Sequence, residues 1–501
     1  MSESITRTRH VLQRTGFAEP PRHVVRAAVE TPATLLASRL SSRAPIAPLA
    51  PPDWVDGPIL DFATFRDLEE ARRRAAHRRL RQIQRERLAE LQAWWITSLI
   101  RTENPLGARM TLFWQNHFTS AQRKVRYVEL MYRQHATLMA HATGRFGDLL
   151  LEVLKDPAML LYLDNHRSRR GRLNENLARE LLELFTLGEG AYAEHDIREL
   201  ARALTGLAID PEQAFVFREG AHDPAPKTLL GTDGVRGVDD VVEVLTGHPA
   251  TARHLTAKLW RHFVSPTPEP EHVEALAEDF RAGDLDIAAL LGAMLGSDAF
   301  LDPATFGTLV KSPLELVVGT HRALALAPLD PPSLVRAVRS MQQSPYEPPN
   351  VRGWVGGVQW INSATLLARR RFVNGMLRSD ALDPAALRGE LSADELVAAL
   401  LPLPPVTPLP PVPAGNGAGA GKAAANRAAS PAASPAADPA TNPATNPATN
   451  PGEGPAMNPA DSSTMDADPL GARDAKRRRR NAARRDEPIA RLLRDPVHNL
   501  C

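Results

Sequence analysis

The stretch NENLARELLELFTLG, from Asn174 to Gly188, has the best-sorted helical pattern in the chain. On a helical wheel of about 100° per residue, polar side chains fall on one face and apolar side chains on the other. The polar face holds Glu175, Asn176, Arg179, Glu180 and Glu183. The side chain of Asn174 can cap the first turn, and Gly188 stands where a helix can end in a left-handed turn. The segment therefore predicts an amphipathic helix that packs on an apolar core.

The same periodicity extends from the start of the chain to about residue 400. Apolar residues recur at intervals of three and four, and the β-branched alternation typical of strands is scarce. We predict an all-α fold with one large multi-helix domain over residues 1–403. A long helix is expected from about Phe62 to Thr102. Its arginine-rich middle is interpreted as a solvated face, with binding to nucleic-acid phosphates as the alternative.

A change of composition predicts a disordered Pro/Ala-rich insertion over residues 404–486. Pro, Ala, Gly, Ser and Asn dominate there, and Ala-Thr-Asn-Pro occurs three times from Ala440. Such a segment buries too little apolar surface to offset the entropy of ordering it. The basic run within 476–485 is interpreted as a solvated tail, or alternatively as a contact for an anionic surface. Helical spacing returns in residues 487–501, which we expect to dock on the domain.

The composition excludes several classes of protein. Lys and Arg number 60 against 58 Asp and Glu, so the net charge of +2 gives no global attraction to nucleic acid. The single cysteine, Cys501, allows neither an intrachain disulfide nor a cysteine metal cluster. The first thirty residues lack the apolar run of an export signal, and no stretch approaches the roughly 18 apolar residues of a membrane span. We therefore expect a cytoplasmic protein without a membrane span.

Familiar catalytic motifs are also missing from the sequence. It contains no G-x-S-x-G elbow, H-E-x-x-H pair, Walker loop or dinucleotide fingerprint. We therefore expect neither a familiar serine hydrolase, nor a zincin of that type, nor a nucleotide-dependent enzyme. The sequence identifies no cofactor.

The acidic stripe, defined as Glu175, Glu180 and Glu183, is one candidate for chemistry. Glu180 and Glu183 are about one helical turn apart and could hold a hard cation or act as paired acid and base. The simpler interpretation is that Glu175 pairs with Arg179 and that arginines of neighbouring helices neutralise the other two carboxylates.

Two further segments combine histidine with other polar residues. FWQNHF places Asn116 and His117 among large aromatic residues, where a buried histidine with satisfied hydrogen bonds is the simpler interpretation. AHDPAPKTLLG offers His222, Asp223 and Lys227 in a proline-bounded loop. A carboxylate can orient an imidazole, although neighbours in sequence need not touch.

The segment from Ser344 to Arg369 contains two tryptophans in a Pro- and Gly-rich setting. Its first part, residues 344–362, is called the Trp loop. Trp354 and Trp360 each offer a flat apolar face and one N–H donor, with Asn350 nearby. They could stack on a planar ligand, or they could close the end of a helical core. The glycines do not match a phosphate-binding loop.

Seven blocks in fixed order carry a resemblance to a known family. They are RTRHVLQRTGF, LFWQNHF, DPAMLLYLDN, NENLARELLELFTLG, HDPAPKTLLG, KSPLELVV and EPPNVRGWVGGVQWINS. On these blocks the chain resembles the bacterial domain-of-unknown-function 1800 family, and PIARLLRDPVHNL resembles its usual ending displaced by the insertion. The resemblance implies an uncharacterised bacterial protein and, as a possible partner, a protein of the sulfatase-like family often encoded beside it. Family members often have histidine where this chain has Gln115, and some have it at the position of Phe185.

The leading functional hypothesis is a helical binding protein with an acidic, His- and Trp-lined polar pocket. The residues predicted to line it are Asn116, His117, Asn174, Glu175, Asn176, Lys227, Asn350, Trp354 and Trp360. One alternative is a metal-assisted hydrolase that uses Glu180, Glu183 and His222, with Asp223 as a further catalytic candidate. Another is a non-catalytic scaffold that holds a partner through the insertion.

Overall fold

Helices build most of the chain, as the sequence predicts. The computed structural model describes residues 2–59, 62–383, 387–406 and 487–501. The α-helices are α1 (Ser2–Arg14), α2 (Pro21–Ala27), α3 (Pro32–Leu40), α4 (Glu70–Arg101), α5 (Pro105–His117), α6 (Gln122–Val125), α7 (Val128–Ala140), α8 (Phe146–Lys155), α9 (Pro157–Tyr162), α10 (Asn176–Glu180), α11 (Glu194–Ala203), α12 (Val238–Gly247), α13 (Pro249–Phe263), α14 (Pro270–Ala282), α15 (Ile287–Leu295), α16 (Asp298–Leu301), α17 (Pro313–Ala323), α18 (Pro331–Ser340), α19 (Ser363–Leu377), α20 (Ala393–Leu400) and α21 (Glu487–Arg494). The predicted insertion, with its basic run, lies almost wholly outside these described residues.

Two small antiparallel hairpins interrupt the helices. Strand β1 (Leu207–Ile209) pairs with β2 (Phe215–Phe217), and β3 (Lys227–Leu229) pairs with β4 (Thr232–Val235). Leu230 and Gly231 both have positive φ in the two-residue turn between β3 and β4, a conformation that suits tight hairpins. Strands this short have no readable alternation, which is why the sequence did not predict them.

The long helix predicted from about Phe62 to Thr102 is observed as a short 3₁₀ turn, Phe62–Phe65, followed by α4. The first half of α4 is largely exposed, and its solvent-facing arginines include Arg78, Arg81 and Arg85. Its second half is buried through Trp95 and its neighbours, and the helix packs against α17 and α18. The exposed first half agrees with the sequence interpretation of the arginine-rich middle as a solvated face.

The hydrophobic core contains an aromatic cluster that joins distant parts of the chain. Trp114 and Phe118 come from the end of α5, Phe146 from the start of α8 and Phe185 from the segment after α10. All four are essentially buried, and burying one such ring stabilises the fold by about 1.5–3 kcal/mol. The cluster fixes the end of α5. The polar residues Gln115 and Asn116 of that end lie on a different face of the helix from the aromatic side chains.

Residues 487–501 return to the domain. Helix α21 packs against α19 and α20. The backbone N–H of Lys311 donates to the carbonyl of Asn499 at 2.8 Å, and that of Cys501 donates to the carbonyl of Leu309 at 2.8 Å. The ending thus holds the segment just before α17. Across the described ranges, every helix is too short or too polar to cross a membrane.

Candidate functional site

A cavity of about 420 Å³ lies between α5, α7, α13, the segment before α17 and the Trp loop. Its polar lining includes Arg109, Gln115, Asn116, Lys258, His262 and Glu315. Its aromatic lining consists of Phe113, Tyr346, Trp354 and Trp360. Pockets of a few hundred Å³ with apolar walls and a few convergent polar groups are typical small-molecule sites.

An ion pair between Arg109 and Glu315 forms one wall of the cavity. Arg109, on α5, is only 3% exposed; its Nη1 lies 2.6 Å from the Glu315 carboxylate and donates to the Gly16 carbonyl at 3.0 Å. Glu315 caps α17 by accepting from the backbone N–H of Ser312 at 2.7 Å. Burial opposes ionisation of Glu315, but the charge of Arg109 and the cap lower its pKa to about 2. The pair is therefore ionised and held in place.

His262 adds a neutral polar group beside this pair. Burial and the charge of Arg109 lower the pKa of His262 to about 3, so its imidazole is uncharged at neutral pH. The Nε2 of His262 and the Nε of Arg109 are both buried without a hydrogen-bond partner. Buried polar atoms rarely stay unpaired in native proteins. The Nε2 of His135, another lining residue, is a third such atom.

The opposite wall is a neutral hydrogen-bonding cluster around His135. The Gln115 side-chain amide and the Tyr346 hydroxyl both donate to His135 Nδ1, the latter at 3.2 Å. Burial lowers the pKa of His135 to about 3. With both donors on Nδ1, the neutral ring carries its proton on Nε2. This wall therefore offers polar contacts without charge.

Two cations on α13 lie at the edge of the cavity. The Nζ of Lys258 donates to the Leu184 carbonyl at 3.2 Å. Burial, and then the charge of Arg261 one turn further along, lower the pKa of Lys258 to about 8. Arg261 is exposed and has neither a hydrogen bond nor an ion pair to any residue that the structure describes. No carboxylate compensates these two charges within the described lining.

The Trp loop is fixed to α5 by a pair of hydrogen bonds. Asn116 Nδ2 donates to the Trp354 carbonyl at 3.0 Å, and the Trp354 backbone N–H donates to Asn116 Oδ1 at 2.8 Å. Gly353 has a φ of +73°, and a Cβ there would collide with the Asn116 amide, so only glycine fits. Asn116 thus positions Trp354 at the cavity.

The helix predicted from Asn174 to Gly188 ends differently from the prediction. After α10 the chain forms a π-helical turn, Leu181–Thr186, before Gly188 terminates the segment with a φ of +85°. The carbonyl of Leu184 accepts from His254 and Lys258, and that of Phe185 accepts from His117 Nε2 at 3.0 Å. Single π turns are frequent at functional sites. Here the turn presents two carbonyls to side chains of other helices.

His117 is a core residue and does not line the cavity. It is 2% exposed and stacks within the aromatic cluster. Burial, followed by the charge of Lys258, keeps its pKa well below the ordinary value for histidine. The hydrogen bond of its Nε2 to the Phe185 carbonyl agrees with the simpler of the two sequence interpretations, a buried histidine with a satisfied hydrogen bond.

The acidic stripe lies outside the cavity lining. Glu175 is 3.6 Å from Arg179, and Glu183 is 2.5 Å from Arg352 of the Trp loop, which is 57% exposed. Within the described ranges Glu180 has no hydrogen bond or ion pair, and burial, then the charge of Glu183, raise its pKa. The stripe is thus partly neutralised at the protein surface instead of facing the cavity.

His222, Asp223 and Lys227 form a separate cluster beside the hairpins. The Nδ1–H of His222 donates to the Thr205 carbonyl at 2.8 Å, and Asp223 accepts from Arg202 at 2.8 Å. Lys227 is 2% exposed and donates to the carbonyls of Asp223 and Arg236. None of the three lines the cavity, and each has a structural hydrogen bond.

Of the asparagines predicted to bind ligand, Asn174 and Asn350 serve local turns through their side chains. Asn174 Oδ1 accepts from the backbone N–H of Asn176 at 2.9 Å, which satisfies one free donor at the start of α10 as predicted. Asn350 Oδ1 accepts from the backbone N–H of Arg352 at 2.9 Å. Asn176 and Asn350 are exposed.

The structure therefore brings together three of the predicted binding residues, Asn116, Trp354 and Trp360. Sequence reasoning did not single out the cavity residues Arg109, Lys258, Arg261, His262 and Glu315. One available signal was the segment AKLWRHF, in which Lys258 and Arg261 are one helical turn apart on an otherwise largely apolar helix.

Comparison with known proteins adds a family and no activity. A family model described as "Protein of unknown function (DUF1800)" matches residues 10–461, well over half of the chain. No curated protein and no solved structure matches it.

Proposed function

The chain belongs to the DUF1800 family, whose description assigns no function, and from its own geometry we propose that it is a helical binding protein for a small molecule. The ligand site is the cavity between α5, α13 and the Trp loop. The observation that carries the proposal is the cavity of about 420 Å³, in which Trp354 and Trp360 lie together with the polar side chains of Gln115, Lys258 and Arg261. Such a combination of apolar walls and a few polar groups is typical of sites for small molecules.

The aromatic lining supports the same proposal. Trp354 and Trp360 offer indole faces, and neither indole N–H has an acceptor among the described residues. Indoles combine a large apolar surface with one donor, which suits a ligand that is partly apolar and partly polar. Because Asn116 fixes the backbone of Trp354, one edge of the cavity is already ordered before a ligand arrives, and less entropy is lost on binding.

The metal-assisted hydrolase is less well supported. Within the ranges that the structure describes, no group of three or more His, Cys, Asp or Glu side chains could hold a metal ion. Glu183 is paired with Arg352, and His222 donates to the Thr205 carbonyl. The scaffold hypothesis depends on residues 404–486, almost all of which lie outside the described part of the chain.

Titration with the uncharged fluorophore N-phenyl-1-naphthylamine tests the binding proposal, because this dye brightens in apolar sites. We expect saturable binding to the full chain. Trp354→Ala should weaken it by roughly tenfold, because one aromatic wall is lost. Trp54→Ala is the matched control, since Trp54 is also partly exposed but hydrogen-bonds Glu90 at 2.8 Å away from the cavity lining. Non-saturable fluorescence, or equal losses in both variants, would contradict the proposal.

A further inference from the structure

The charges that line the cavity are unequal in sign. Of the described lining residues, Arg109, Lys258 and Arg261 are cationic, whereas Glu315 is the single Asp or Glu. A negative charge at the lining residue Cys501 acts on Arg9, Arg14 and Lys311, not on the cations of α13. A cavity walled by one sign of charge with few counter-charges attracts ligands of the opposite sign.

Glu315 compensates only one of the three cations. Its carboxylate contacts Arg109 at 2.6 Å and the backbone N–H of Ser312 at 2.7 Å. These contacts use both of its oxygens at the beginning of α17. The charge of Glu315 is therefore engaged by Arg109 and the backbone N–H of Ser312.

Lys258 and Arg261 are the uncompensated pair. Lys258 donates only to the Leu184 carbonyl, at 3.2 Å, and Arg261 has no partner among the residues that the structure describes. Both line the cavity, one helical turn apart on α13. The two like charges repel each other, as the lowered pKa of Lys258 also indicates. An anion placed between them would remove this repulsion and gain charge-assisted hydrogen bonds.

The aromatic side of the cavity determines the rest of the ligand. Trp354, Trp360 and Phe113 line the same space, and the Trp360 side chain is almost buried. A small inorganic anion would leave these faces uncovered, whereas an apolar or aromatic body would cover them. The ligand thus needs a charged head and an apolar portion.

From these observations we propose that the cavity binds an organic anion, whose carboxylate, sulfonate or phosphate head lies between Lys258 and Arg261 and whose apolar body contacts Trp354 and Trp360. The inference rests on the proposed function, because it names the ligand class of the same cavity. His262 and the neutral cluster around His135 supply further hydrogen bonds along the wall.

The test compares the affinities of the full chain for two dyes that differ by one negatively charged group. They are 8-anilinonaphthalene-1-sulfonate and its uncharged counterpart N-phenyl-1-naphthylamine. We expect the sulfonate to bind roughly tenfold or more tightly, as hydrogen bonds to charged groups predict. Lys258→Met and Arg261→Gln should each remove most of this preference, because each loses one of the two cations that face the sulfonate.

Arg253→Gln is the control for general surface charge. Arg253 is on the same helix and exposed, but it pairs with Glu274 at 2.7 Å and does not line the cavity. Equal affinities for the two dyes, or an equal loss in Arg253→Gln, would overturn the anion inference while the binding proposal stands. Binding of neither dye would overturn both.

Discussion

The acidic stripe and the cavity differ in how their charges are paired. On the stripe, Glu175 and Glu183 meet arginines that are about half exposed. In the cavity, one buried ion pair is complete, while Lys258 and Arg261 have no carboxylate among the described lining residues. The stripe is the more conspicuous pattern in the sequence, yet the unpaired charges are in the cavity. A sorted helical face indicates which side meets water, and it does not by itself indicate a site.

The largest expected effect is on stability, and it distinguishes the Arg109–Glu315 pair of the cavity from the Glu183–Arg352 pair of the stripe. Arg109→Met should lower the free energy of unfolding by about 3–5 kcal/mol, because it leaves the Glu315 charge buried and uncompensated. Arg352→Met removes the partner of Glu183 on the stripe and should cost less than about 1 kcal/mol, since Arg352 is 57% exposed. Urea denaturation followed by circular dichroism at pH 7 measures both.

Lowering the pH should reduce the difference in the free energy of unfolding between Arg109→Met and Arg352→Met. The pKa of Glu315 is lowered from 4.5 to about 2, so its ionised form stabilises the native state above pH 4.5. That contribution is lost as the pH falls from about 4.5 towards about 2. Equal losses of stability in Arg109→Met and Arg352→Met at pH 7 would show that the two pairs do not differ as described.

The second prediction concerns the pH dependence of anion binding. Lys258 has a pKa of about 8, so it carries its charge at pH 7 and loses it as the pH rises through 8. The affinity for 8-anilinonaphthalene-1-sulfonate should therefore fall by roughly tenfold between pH 7 and pH 10, in fluorescence titrations at constant ionic strength. The neighbouring His254 and His117 have lowered pKa values and stay neutral over this range.

The matched controls for this pH effect are a variant and a dye. Lys258→Met should bind the sulfonate weakly at both pH values, and the uncharged dye should bind the native chain equally at both. If the affinity of Lys258→Met for the sulfonate decreased by the same factor between pH 7 and pH 10, another group would cause the pH effect. The contrast between the cavity and the stripe would then be weaker.

Local patterns explain what the sequence could predict. Apolar spacing predicted the helical fold, the Asn174 side chain caps α10, and Gly188 ends the segment in a left-handed conformation. The π turn was not predictable from a wheel with constant rotation. The carbonyls of Leu184 and Phe185 in this turn accept hydrogen bonds from His117, His254 and Lys258, which lie on two other helices.

The cavity was harder to predict for a related physical reason. Its lining comes from six separate parts of the chain, so no spacing rule connects Arg109 with Lys258 or Trp354. Asn116 could be predicted because a polar residue among large aromatic residues is locally unusual, and the two tryptophans because aromatic residues beside Gly and Pro are. The cations were missed because 60 Lys and Arg residues make any single one unremarkable.

The smallest expected effect lies within the stripe itself. Burial and the charge of Glu183 raise the pKa of Glu180, so the ionised form of Glu180 destabilises the native state at neutral pH. Glu180→Gln should therefore raise the free energy of unfolding, by less than about 1 kcal/mol, and Glu183→Gln should lower it by a similar amount through loss of the Arg352 contact. The gain in Glu180→Gln should shrink as the pH falls and native Glu180 takes up a proton. Urea denaturation at pH 7 and pH 4 measures both changes. A loss of stability in Glu180→Gln at pH 7 would mean that the carboxylate makes a favourable contact, and the stripe would then be more than a solvated face.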